Sequence, residues 1–146
     1  LFDRDAPDGY PETGPNWISA GTLVERIRFI QSFCILAGQT GHTGSQGGTG
    51  NDAGNSICDP VGLMKSRLPA GSYGDAAAVT DFFLGILYPA EGAANLKLLR
   101  DAGIKFLNTD DGGVAASTFT AGLITYDTRV RGLVAMLMAT QRFQEQ

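Results

Sequence analysis

The chain is poor in the residues that carry most protein chemistry. It has one histidine, His42, two cysteines, Cys34 and Cys58, and one tryptophan among 146 residues. Metal centres built on Cys and His need several ligands at short spacings such as C-x-x-C, and no such cluster is present. With no Cys, Glu or second His at ligand spacing, His42 reads as a solvated side chain. Basic charge is also scarce: 11 Lys and Arg against 15 Asp and Glu leave a net charge of -4. Nucleic acids and anionic membranes are recognised through clustered cations, so neither is an expected partner. No apolar run approaches the roughly 20 residues of a membrane span. The most apolar window, "VTDFFLGILYPA", is short and carries Asp81. There is no G-x-S-x-G, no H-E-x-x-H and no P-loop, so no catalytic residue and no cofactor are read.

What is present is a globular composition, 43% hydrophobic and 18% charged, at a length that suits one domain over residues 1–146. Residues 1–18 hold Pro7, Pro11 and Pro15 with Gly9 and Gly14, which predicts an extended strap anchored by Tyr10 and Trp17. From Ser19, Leu23, Ile27, Ile30 and Cys34 recur at helical spacing, and Gly38 marks a stop. Asp59-Pro60 reads as an N-cap with proline at the first helical position, opening a helix to about Arg67. Asp75 is placed to cap a third helix with Val79, Phe82, Phe83, Ile86 and Leu87 on its apolar face. A fourth runs from Ala93 to Ala102, with Leu96, Leu98 and Leu99, and Gly103 as its stop; "IKFLN" fits helix or strand. Residues 108–119 read as a polar loop. A last helix starts near Asp127 with Val130, Leu133, Val134, Leu137 and Met138, and ends with Phe143. The expected fold is all-α: an irregular domain of about five helices with a long Gly-rich loop and an N-terminal strap.

The Gly-rich stretch "GQTGHTGSQGGTGND" places glycine at 38, 41, 44, 47 and 50. It has no proline and too few triplets for collagen. A straight polyproline II rod of this length would span about 46 Å. The embedded "GTGNDA" fits a loose dinucleotide fingerprint but lacks the strand-to-helix turn that motif needs. A solvent loop remains, with close contact to a partner chain as the alternative that glycine permits. Cys34 and Cys58 flank it, which predicts a disulfide clasp worth about 3 to 4 kcal/mol, with two free buried thiols as the alternative. A bridge implies an oxidising compartment.

Two carboxylate groups invite a metal or catalytic reading. Asp3, Asp5 and Asp8 before Gly9 approach the calcium-loop pattern, but the register is displaced and a Pro-Asp-Gly turn accounts for them better. Asp110 and Asp111, before Gly112-Gly113, could bind a cation or share a proton, though such pairs are common in solvated turns.

"PDGYPETGPNWISAGTLVERIRF" resembles a block of the large bacterial exported family catalogued as the domain of unknown function numbered eighteen hundred. Pro7, Gly9, Tyr10, Pro11, Gly14, Trp17, Leu23 and Arg26 carry the likeness. "RGLVAMLMATQRFQEQ" resembles that family's terminal helix through Thr140 and Phe143. The resemblance implies a mainly helical, exported protein of which this chain is the C-terminal part, and it brings no catalytic residue. A first residue that is leucine fits that expectation. The expected role is a structural or interaction module of the cell envelope or exterior, partnered by the rest of its own polypeptide or by other subunits. A hydrolase-like or carbohydrate-processing fragment using Asp110 and Asp111 is the alternative, and a calcium or small-ligand module a third.

Overall fold

The computed structural model describes residues 20–34 and 58–144. Asp3, Asp5, Asp8, Tyr10, Trp17, His42 and the repeated glycines lie outside the described residues. The described chain is all-α: α1 (Ala20–Cys34), α2 (Pro60–Arg67), a 3-10 turn (Ala70–Ser72), α3 (Ala76–Leu87), α4 (Ala93–Leu107), α5 (Tyr126–Met138) and α6 (Gln141–Gln144). Among the described residues the extended structure is limited to one antiparallel bridge, Thr109 with Ala116.

The predicted caps form. Asp59 accepts the Gly62 N–H at 3.0 Å, and Asp75 accepts those of Ala77 and Ala78 at 2.9 and 3.3 Å. Each satisfies amides that the first helical turn leaves without intrahelical partners.

The core is organised around α5, which packs against α1, α2, α3, α4 and α6. Tyr126, Val130, Leu133, Val134, Ala135 and Leu137 are buried along it, as a helix enclosed on most sides requires. Met64, Val79, Phe83, Tyr88, Leu96 and Leu107 reach it from the neighbouring helices. Phe119 returns from the 108–119 segment to stack on Tyr126, ring centroids 5.1 Å apart.

Three expectations are corrected. Gly103 does not stop α4, which runs on through "IKFL" to Leu107. It is buried because a Cβ there would stand 2.6 Å from Thr80 Cγ2 and 3.1 Å from Leu133 Cδ1, so glycine lets three helices approach. The last helix is two helices. Thr140 ends the first, and its hydroxyl accepts the Phe143 N–H at 3.3 Å to cap α6. The apolar faces are also narrower than their spacing implied, since Leu98 on α4 is 83% exposed and Ile86 on α3 lies outward.

Candidate functional site

Three features built on this frame bear on function: an apolar groove, a buried arginine that gathers distant backbone, and a carboxylate loop. The groove lies between α1 and the end of the described chain, encloses about 610 Å³, and is lined by Glu25, Arg26, Phe29, Ile30, Met138, Phe143 and Gln144. α1 turns Ile30 and Cys34 into the core. Other faces of α1 point outward: Phe29 is 62% exposed and stacks on Phe33 at 5.6 Å, and Val24 is 46% exposed. Tyr88 positions the opposite wall. Its hydroxyl donates to the Leu137 carbonyl at 2.8 Å, shares a hydrogen bond with Thr140 Oγ1 at 2.6 Å, and its ring meets Phe143 edge-on. Arg26 Nη1 crosses the groove to the carbonyl and side-chain oxygens of Gln144, at 3.2 and 3.4 Å.

Arg131, on α5, has a side chain only 5% exposed. A buried guanidinium is tolerated only when its donors are met. Here Nη1 donates to the carbonyls of Cys58 and Cys34, at 2.8 and 3.3 Å. Nη2 donates to Asp59 Oδ1 at 3.2 Å and Nε to Asp127 Oδ2 at 2.6 Å. The Cys58 N–H donates to the Phe33 carbonyl at 3.1 Å. Cys34 and Cys58, the described residues that flank 35–57, are therefore held at one point. Both cysteines there carry free thiols; Cys34 is buried and Cys58 half-buried. The Cys34 thiol donates to Met138 Sδ at 3.8 Å. Burial, with the neighbouring Cys58 adding to it, pushes the Cys34 thiol up to about 12. Burial also pushes Cys58 up, and Arg131 opposes it.

Asp110 and Asp111 border a cavity of about 490 Å³ with Lys105, Phe106, Thr128 and Arg129. Both carboxylates are engaged in shaping the loop. Asp110 Oδ1 accepts the N–H groups of Val114 and Ala115 at 2.8 and 3.0 Å, which holds its carboxyl below the usual range. This turns the chain at Gly113, whose φ of 74° suits glycine. Asp111 pairs with Arg129 at 3.4 Å. Buried Arg129 also donates to the carbonyls of Leu107 and Ser117 and to the Ser117 hydroxyl. The arrangement fastens the loop to α5. Among the described residues no group of three His, Cys, Asp or Glu side chains could hold a metal ion.

Sequence reasoning missed both buried arginines and the groove. Arg129 and Arg131 alternate with apolar residues, two positions apart and so on different faces of a helix, and the short "YDTRVRG" stretch gives no sign that both point inward. Asp127, four residues before Arg131 on one helix, was the available signal. Comparison of the chain with family models, with curated proteins and with solved structures returns no match.

Proposed function

We propose that the chain is a protein-interaction module of an exported protein, docked through the groove between α1 and α6 onto another part of the polypeptide to which it belongs. The observation that carries this reading is the groove, with Phe29 largely exposed beside a floor of Ile30, Met138 and Phe143. Leaving that apolar surface in water costs free energy that a covering partner recovers. Glu25, Arg26 and Gln144 give it the polar rim around an apolar centre that interfaces use.

Position favours a covalently attached occupant. Arg26 is six residues into α1, so Ala20, the first residue of that helix, lies about 9 Å along the axis from the groove. Gln144, at the end of α6, forms part of the other wall. A tethered segment acts at high effective concentration, so a modest groove is enough to hold it. The likeness of the N-terminal stretch and terminal helix to the exported family numbered eighteen hundred supports the same reading and an extracytoplasmic location.

The test is coexpression of the 146-residue chain with the polypeptide encoded upstream of Leu1 in the same reading frame. A stable complex is expected. Phe29→Ser should weaken it at least about tenfold, while costing the chain's own stability only about 0.5 to 1.5 kcal/mol through the lost stack on Phe33. A chain that ignores the upstream polypeptide, or turns over a substrate alone, overturns the reading.

A further inference from the structure

We infer that Cys34 and Cys58 form a reversible disulfide, in which half-buried Cys58 is the attacking thiol and buried Cys34 the resolving one, joining the end of α1 to the residue before the α2 cap. The inference stands apart from the groove and rests on the geometry around Arg131.

The Cys58 N–H bonds to the carbonyl of Phe33, the residue before Cys34, at 3.1 Å. Standard bond lengths then keep the two cysteine Cα atoms within about 7 Å, which is the span a disulfide bridges. Arg131 Nη1 holds the carbonyls of both cysteines, so the pair is fixed from a third element. The two thiols differ in access. Cys34 is fully buried against Met138, and its acidity is far weaker than that of an ordinary thiol. Cys58 is reachable from solvent; burial raises its thiol too, and the cationic Arg131 opposes that rise.

The oxidant is a small-molecule disulfide such as oxidised glutathione. The Cys58 thiolate attacks one of its sulfurs, breaking that S–S bond, forming a mixed disulfide on Cys58 and releasing one small thiolate. Cys34 then loses its proton and attacks the Cys58 sulfur. The intramolecular bond forms as the second small thiolate leaves. Two electrons pass to the small disulfide and the two thiol protons end on its released halves.

The native 146-residue chain, treated with oxidised glutathione, is expected to lose two hydrogens by intact mass and to retain no glutathione. Both thiols should resist alkylation after denaturation until reductant is added, and the oxidised chain should melt higher than the reduced one. Cys34→Ser should stop at the mixed disulfide on Cys58. Cys58→Ser, a change at a half-buried position, should leave Cys34 unreacted in the folded chain. Glutathione persisting on wild-type Cys58, disulfide-linked dimers, or two unreactive thiols would each overturn the pairing. A Cys58→Ser chain that reacts as fast as Cys34→Ser would overturn the assigned order of attack.

Discussion

Two glycines on adjacent helices should answer the same substitution in opposite ways. At Gly103 a methyl group would meet Thr80 Cγ2 at 2.6 Å, and Thr80 cannot swing aside because its hydroxyl is tied to the Ala76 carbonyl at 2.7 Å. Overpacking there outweighs the gain in helix propensity, so Gly103→Ala is expected to cost about 1 to 2 kcal/mol. At Gly85, in α3, a Cβ meets nothing within 4 Å, and Gly85→Ala should stabilise by about 0.5 to 1 kcal/mol. Urea unfolding of the two variants checks both signs. At this scale the sequence is legible where a side chain acts locally. The capping roles of Asp59 and Asp75 could be read because their partners lie two or three residues on. The role of Arg131 could not, since the carbonyls it holds are 73 and 97 positions away.

Elements differ in the same way. α2 and α3 have bounds close to those read from their caps and prolines, but nothing in the spacing of Met138 and Phe143 announces the break between α5 and α6. That break depends on Tyr88, from α3's end, binding the Leu137 carbonyl and Thr140 hydroxyl. Tyr88→Phe keeps the ring and removes both hydrogen bonds from a buried position. It should cost about 1 to 2 kcal/mol and loosen α6 first. Hydrogen exchange then rises at the amides of 140–144 before those of α3 or α4; uniform acceleration across the chain would instead place the loss in the core as a whole. Because α6 forms one wall of the groove, the same variant should also weaken docking. The groove itself was not legible, because the periodicity of α1 identifies Ile30 as inward but does not say which neighbouring faces remain uncovered.

For the molecule as a whole, class and helix order follow from periodicity and punctuation, while its centre does not. α5 was one amphipathic helix among several on paper, and becomes the hub because every other α-helix packs against it. The hydrogen bond between Phe33 and Cys58 has a further architectural meaning. It brings the described residues on either side of 35–57 together, so the helical frame is effectively continuous from Cys34 to Cys58. Replacing residues 35–57 with a short Gly-Ser turn should preserve the helical circular dichroism and raise stability by about 1 to 2 kcal/mol through the shorter closure. By the same logic the position is a socket. A foreign domain whose own ends lie side by side could be spliced between Cys34 and Cys58, with Arg131 gripping both seams, and the frame would carry it as cargo.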